Sequence, residues 1–229
     1  KKIKKKFDYG RFHKMERSKI ILIMPSYNEL ENLKNIIPAI KKKIHLLVLD
    51  DCSSDESEKW LSKKKIKFIR NNVRKGYIGN LKTGFEYILK NKPSYDYILT
   101  MDADNEHKPS YIDIFKKVVK KNPTIVIGTR NKKNRFLEYI LGLFFRIKYK
   151  IYDPLSGFKL YKTEFINKNI KNIDNELIGL DLLCNCLLDK KNKIIQIPIN
   201  VNKRQGFSRF GNIFIANLKI LKCFKLLLK

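Results

Sequence analysis

This sequence is short of acid. Its 229 residues hold 22 Asp and Glu against 50 Lys and Arg, a formal net charge of +28 at pH 7. An imbalance of that size fits nucleic acid, an anionic membrane or phosphorylated substrates as partners. A genome biased toward Lys, Ile and Asn codons would produce the same charge with no partner at all. Lys outnumbers Arg more than fourfold, whereas proteins that read bases lean on Arg for bidentate contacts. There is no aromatic-basic motif of an RNA-binding type, so a nucleic-acid-binding role would rest on charge alone.

Cysteine is scarce too. Cys52, Cys184, Cys186 and Cys223 form no C-x-x-C pair, and Cys184 and Cys186, two apart in an expected helix, point to different faces. All four are read as reduced thiols, which implies a cytoplasmic protein. Long apolar runs are missing: the longest, residues 136–145, is interrupted by Glu138 and is shorter than the roughly 18 residues of a membrane span. Residues 1–18 start basic but lack the apolar stretch of a signal peptide, and are expected to be a basic tail. Repeats and low-complexity linkers are also missing. Two glycines stand in "RKGYIGN" (74–80), but in neither the P-loop nor the dinucleotide-binding spacing. That excludes the usual phosphate loops of P-loop enzymes and dinucleotide oxidoreductases. A nucleotidyltransferase would likewise want a glycine-rich basic opening loop.

What is present is an alternation of apolar strands and amphipathic helices. Strands are expected at 19–24, stopped by Pro25, at 45–49, in "IKFIRN", in "YDYILTMDAD" and in "TIVIGTR". Between them run helical patterns. Leu30, Leu33, Ile36, Ile37 and Ile40 share one face, with Asn28 placed to cap them and Glu31 three residues on. Ser53 and Glu56 have capping-box spacing. Residues 76–90 turn Tyr77, Ile78, Leu81, Phe85, Ile88 and Leu89 inward, and Pro109 opens the next helix. Unbroken apolar strands alternating with helices indicate a Rossmann-like α/β fold, a mostly parallel sheet covered by helices on both faces. After residue 130 the pattern is mixed: an apolar helix at 136–149, the loop "YDPLSGFKLY", a helix near 178–190, the strand "KIIQIPIN", the loop "KRQGFSRFG" and a last helix. The expected division is a basic tail (1–18), one catalytic domain (19–211) and a basic amphipathic C-terminal helix (212–229).

The few acids are concentrated. Glu29 follows the first strand, Asp50 and Asp51 the second, Asp102 and Asp104 the fourth. Ligands of such sheets bind beyond the carboxyl ends of the strands. Five acids on one rim repel one another unless a cation or a hydrogen-bonding ligand offsets them. A D-x-D pair at a strand end can hold a hard divalent cation such as Mg²⁺, which shares its shell with substrate phosphates. Asp102 and Asp104 point the same way in an extended segment. Glu106 continues that period as a third oxygen donor, and Asp51 suits a nucleobase or a ribose hydroxyl.

"IMPSYNELENL", "LLVLDDCSSDES", "NNVRKGYIGNLKTGF", "ILTMDADNEHKPSYI", "VIGTR", "DPLSGFKLY" and "IPINVNKRQGFSR" stand in this order from about residue 19 to 211. Together they resemble the family 2 glycosyltransferases, most of all the dolichol- and polyprenyl-phosphate sugar synthases. The resemblance implies a GT-A fold, a nucleotide-sugar donor, a Mg²⁺ or Mn²⁺ ion and inversion at the sugar carbon. It implies that Pro25, Tyr27, Glu29 and Asp51 bind the nucleotide, with Asp102 and Ala103 on its diphosphate side. It makes Asp102, Asp104 and Glu106 the metal residues, Glu106 standing where Gln is frequent. Arg130 matches the basic residue after the fifth strand, and Asp153, Ser156 and Gly157 match the acceptor-side loop. The late basic loop departs from the family pattern. Lys203 stands at the Arg position, Arg204 follows it, and Arg209 replaces the final Lys. Charge is kept while bidentate geometry shifts. The segment between Arg130 and Asp153 is also shorter than usual.

The expected reaction places positive charge from Arg130, Lys203, Arg204 and Arg209 where the nucleoside diphosphate leaves. A phosphate-monoester acceptor, mostly dianionic at neutral pH, attacks unaided. A sugar hydroxyl needs a carboxylate, and Asp181 lies where many family 2 enzymes have one. Both acceptors stay open: a polyprenyl phosphate, or a hydroxyl in polysaccharide or glycan assembly. His107 is expected in the loop beside the metal residues. Lys219, Lys222, Lys225 and Lys229 recur along one stripe of the last helix, which suits an anionic membrane surface, as does the 136–149 segment with Arg146, Lys148 and Lys150 at its end. Peripheral attachment to the inner face of the cell membrane follows.

Overall fold

The computed structural model describes residues 19–91, 95–131, 136–173 and 180–202. The basic tail, the loop carrying Lys203, Arg204 and Arg209, and the C-terminal helix lie outside the described residues. Seven strands form one sheet: β1 (Ile20–Ser26), β2 (His45–Asp50), β3 (Phe68–Arg70), β4 (Tyr97–Thr100), β5 (Ile125–Arg130), β6 (Lys159–Lys162) and β7 (Ile194–Ile199). Their order is β3-β2-β1-β4-β6-β5-β7. Every pairing is parallel except those of β6, which runs against both β4 and β5. The helices are α1 (Leu30–Lys41), α2 (Ser57–Lys63), α3 (Gly76–Lys90), α4 (Ile112–Val118), α5 (Phe136–Tyr149), α6 (Thr163–Asn169) and α7 (Asp181–Leu188). This is the GT-A architecture.

The unbroken apolar strands follow from two cores. On β1, Ile20, Leu22 and Met24 pack with α1, α2 and α4, while Ile21 and Ile23 pack with α3, α5, α6 and α7. Alternate side chains thus serve opposite faces. With both faces apolar, hydrophobicity alone would tolerate a slip of one residue. The polar strand ends fix the register instead: Ser26 stands beside Asp50, and Asp50 beside Arg70, with which it is ion-paired.

Several local expectations need correction. β1 does not stop at Pro25 but runs through it to Ser26. The Ile23 carbonyl faces β4, accepting from Met101 N–H, and Pro25, two residues on, faces the same way beyond the last β1–β4 pair. Its missing N–H therefore costs no ladder bond. Asn28 does not cap α1. It sits at φ 52° and ties two loops together, its N–H donating to Ser53 Oγ (2.8 Å) and its Oδ1 accepting from Ser54 N–H (2.7 Å). The cap comes from Asp55, whose Oδ2 accepts Leu30 N–H at 2.8 Å and whose Oδ1 accepts from Ser57 N–H at 3.2 Å. The Ser53–Glu56 capping box is accordingly absent. The tail of "YDPLSGFKLY", read as loop, contains β6, and α6 follows it.

The direction of β6 matters for the rim. An antiparallel strand begins at the edge where its neighbours end, so the lead-in Asp153–Phe158 arrives beside the carboxyl ends of β4 and β5. α7 precedes β7, which is parallel to β5. Its first residue, Asp181, therefore belongs to the same edge.

Candidate active site

The loops after β1, β2 and β3 are bound to each other. Asp51 is buried, and its carboxylate accepts the N–H groups of Lys75 and Gly76 (2.8 Å each) and the side-chain amide of Asn71 (3.0 Å). A carboxylate at the first turn of α3 also suits the helix dipole. Asn80 reaches from α3 to the Leu49 carbonyl (2.7 Å). Glu29 is buried and accepts from the Asn32 amide at 2.6 Å. Tyr27, half-buried, lies under the Arg74 guanidinium, 4.0 Å from its ring centroid. Pro25 is buried in β1. Asp50, fully buried, is committed to the fold through its ion pair with Arg70.

Beyond the end of β4, Met101 and Ala103 are buried in the core and the chain bends at residues 103–105, with Asn105 at φ 60°, so the acid motif is not an extension of the strand. Asp102 Oδ1 accepts from Tyr77 Oη at 2.9 Å. Burial first, then Asp102 itself, holds the Tyr77 phenol well above its ordinary pKa, so it stays a donor. On the other side, the Gly157 Cα lies so close that a Cβ there would stand 2.1 Å from Asp102 Oδ2. Thr100 Oγ1 donates to the Gly157 carbonyl at 2.8 Å, fixing that approach. Asp104 is buried and accepts Glu106 N–H at 3.1 Å. Glu106 is buried with its carboxylate 3.8 Å from Arg130.

Arg130 anchors the loop that leads into β6. Its Nε and Nη2 bind Asp153 at 2.8 and 3.0 Å, its own N–H adds a third bond at 3.0 Å, and Glu138 of α5 lies 3.5 Å away. Burial opposes the charge on Arg130, but Asp153, Glu138 and Glu106 outweigh it and raise its pKa. Burial likewise pushes the Asp153 carboxyl up, and Arg130 more than reverses this, leaving it below the ordinary value. Lys159 is buried, donating to the Pro154 and Ser156 carbonyls at 2.7 Å each; burial pushes its ammonium down to about 8. Ser156 is buried and its Oγ accepts Phe158 N–H. His107 packs its ring against Phe158, 5.2 Å between centroids, and burial lowers it to about 4, so it is neutral at pH 7. Asp181 is buried at the start of α7, and after burial it is the main cause of the raised pKa of Tyr161, to which Asp102 also contributes.

The structure thus brings Asp102, Asp104, Glu106, Arg130, Asp153 and Ser156 together. Asp51, Glu29, Tyr27 and Pro25 lie on the neighbouring rim. Among the described residues, the carboxylates of Asp102, Asp104, Glu106, Glu138 and Asp153 gather around the cations Arg130 and Lys159. Among the described residues no group of three or more His, Cys, Asp or Glu is placed to hold a metal ion. Asp102 and Asp104 are hard oxygen donors of the kind that Mg²⁺ or Mn²⁺ takes together with phosphate and water.

Three participants were missed in the sequence. Glu138 reads there only as a break in an apolar run, yet an acid on the inner face of an apolar helix requires a buried cation. Lys159, between Phe158 and Leu160, carried the same signal with opposite sign. Tyr77 reads as one more core aromatic.

The sequence profile of Glycosyl transferase family 2 matches residues 21–175. Among curated proteins, the dolichol-phosphate mannosyltransferase of Pyrococcus furiosus is 27% identical over 210 residues. The match covers 81% of this chain and 57% of that protein, so the chain spans little more than half its length. The polyprenol monophosphomannose synthase of Mycolicibacterium smegmatis is 22% identical, with 87% of this chain and 84% of that protein covered. Among solved structures, glucosyl-3-phosphoglycerate synthase from Mycobacterium tuberculosis, in complex with Mn²⁺, UDP and phosphoglyceric acid, superposes with a TM-score of 0.70 at 15% identity. There 92% of this chain and 78% of that one are covered.

Proposed function

Because the chain belongs to glycosyl transferase family 2, we propose that it moves a sugar, with inversion, from a UDP- or GDP-sugar to the phosphate of a polyprenyl or dolichyl lipid. One observation carries the reading: the hard oxygen donors Asp102, Asp104 and Glu106 gather beside the buried Arg130–Asp153 pair at the carboxyl ends of parallel strands. The names of the mannosyltransferase relatives support a lipid-phosphate acceptor. The Mn²⁺–UDP complex of the structural neighbour supports a metal-assisted nucleotide donor.

Pro25, Tyr27, Glu29, Asp51 and Ala103 bind the nucleotide in this reading. Asp102 and Asp104, with Glu106, hold a Mg²⁺ or Mn²⁺ ion, which when bound supplies positive charge to the departing diphosphate. Lys203, Arg204 and Arg209, outside the described residues, are assigned the role of offsetting the charge of the departing diphosphate. Arg130 and Asp153 act as a rigid pair, and with Ser156 they shape the space in which the acceptor oxygen meets the sugar carbon. A phosphate dianion needs no base. The second reading is transfer to a sugar hydroxyl; the burial of Asp181 at the first turn of α7 supports it, since a hydroxyl acceptor needs a carboxylate to take its proton.

The membrane attachment rests on α5. Tyr139, Ile140, Leu143 and Ile147 are exposed along one side of it, with Arg146, Lys148 and Lys150 at its end. An apolar stripe flanked by cations suits an anionic bilayer surface, and in this reading the protein attaches peripherally to the inner face of the cell membrane. No helix among the described residues is long and apolar enough to cross a membrane.

The test is a screen of UDP- and GDP-sugars for Mn²⁺-dependent transfer, with and without undecaprenyl phosphate, alongside flotation on anionic and neutral liposomes. Transfer that requires the lipid phosphate is expected. Salt-dependent oligonucleotide binding that ignores nucleoside diphosphates, with no transfer, would mean a nucleic-acid-binding protein instead.

A further inference from the structure

The first turn of α3 touches both acidic sides of the site. Lys75 and Gly76 donate their N–H groups to Asp51. The next residue, Tyr77, packs its ring against the core and donates its hydroxyl to Asp102 Oδ1 at 2.9 Å. Gly157 bears on the other oxygen, Oδ2. The Asp102 carboxylate is therefore bracketed by two elements remote in sequence, one from each half of the domain.

A metal-binding carboxylate gains affinity when an outer hydrogen bond fixes its rotamer, and losing such a partner typically weakens binding by tenfold or more. A neutral phenol does this without adding to the negative charge of the cluster. We propose that Tyr77 is a positioning residue that presets the Asp102 carboxylate for a divalent cation. Through the shared turn of α3, the acid assigned to the nucleotide and the acid assigned to the metal are held by one rigid piece of backbone. This rests on the metal role of Asp102 proposed above.

The experiment measures Mn²⁺ binding by water proton relaxation enhancement, in separate arms with UDP and GDP. It compares the wild type with Tyr77→Phe, Tyr77→Met and Tyr97→Phe. Tyr97 donates to Asn122 at 3.2 Å at the opposite end of β4, so its variant loses a comparable bond away from the site. The Kd for Mn²⁺ is expected to rise about 10- to 100-fold in both Tyr77 variants and to stay at the wild-type value in Tyr97→Phe. In the transfer assay the Mn²⁺ concentration for half-maximal rate rises in step, and saturating Mn²⁺ restores most of kcat. A merely structural role would lower both without that split. Wild-type Mn²⁺ affinity, or tighter binding, in folded Tyr77 variants overturns the inference alone. A wild-type protein that binds no Mn²⁺ in either arm overturns the metal reading and the inference with it.

Discussion

Gly157→Ala is the sharpest single perturbation of this site. The added methyl would lie 2.1 Å from Asp102 Oδ2 and 2.5 Å from its Cγ and Oδ1, where ordinary contact begins at 3.4 Å. Either the carboxylate or the backbone must retreat by about 1 Å or more. Gly157 is held by Thr100 through its carbonyl, and its loop by Lys159 through Pro154 and Ser156, so the carboxylate is the softer of the two. A misplacement of about 1 Å in a reacting constellation can cost on the order of 100-fold in rate. Overpacking as such costs about 1–3 kcal/mol of stability, so a steric control is needed. Gly84→Ala provides it: its methyl would stand 2.5 Å from Leu49 Cδ1, in the core beneath α3. Transfer is assayed with a nucleotide sugar at varied Mn²⁺, and folding by urea titration. Both variants should lose stability, but only Gly157→Ala should lose about two orders of magnitude in kcat/KM. If folded Gly157→Ala works within about threefold of wild type, the close approach to Asp102 has no catalytic meaning.

Three further outcomes are expected. Arg130→Met should destabilise the fold by about 3–5 kcal/mol, read as a lower urea midpoint, because Asp153, Glu138 and Glu106 are left buried without their cation. Lys159 binds its proton less readily in the folded state, at about 8 against 10.5. The unfolded chain thus holds more protons between these values, and stability contributed by this group rises with pH across them, by about 3 kcal/mol in total. Lys159→Met should flatten the denaturation profile between pH 8 and 10, and an unchanged slope would dismiss that assignment. Asp181→Asn separates the two acceptors: near-total loss of transfer marks a hydroxyl acceptor, a mild effect a phosphate.

Much of the fold is legible because its strands are apolar on both faces and its helices amphipathic. The limits of α3 and α5 coincide with the expected ones for that reason. β6 was not legible, because "KLYK" is four residues long, carries Lys at both ends and follows a loop motif. Its Lys159 stands between two apolar residues, but the Pro154 and Ser156 carbonyls that hold it follow from the loop's fold and not from any local pattern. The helix starts were misread because Asp55, distant in sequence from Leu30, outcompetes the local candidate Asn28. The acids of the rim were visible as strand-end residues. Their pairings were not, since Tyr77 with Asp102 and Arg130 with Glu138 depend on which elements the topology makes neighbours.

The reversed strand has a geometric consequence. With β6 between them, β4 and β5 stand two strand spacings apart, about 10 Å, where adjacent parallel strands would leave about half that. The widened interval opens at the rim, floored by the Asp153–Gly157 approach, with Asp102 on one bank and Arg130 on the other. If the proposed subsites hold, changes to that short approach would resize the berth for the incoming molecule while the nucleotide bank stayed put. A catalyst arranged this way can be retuned for a new recipient without rebuilding its hold on the donor.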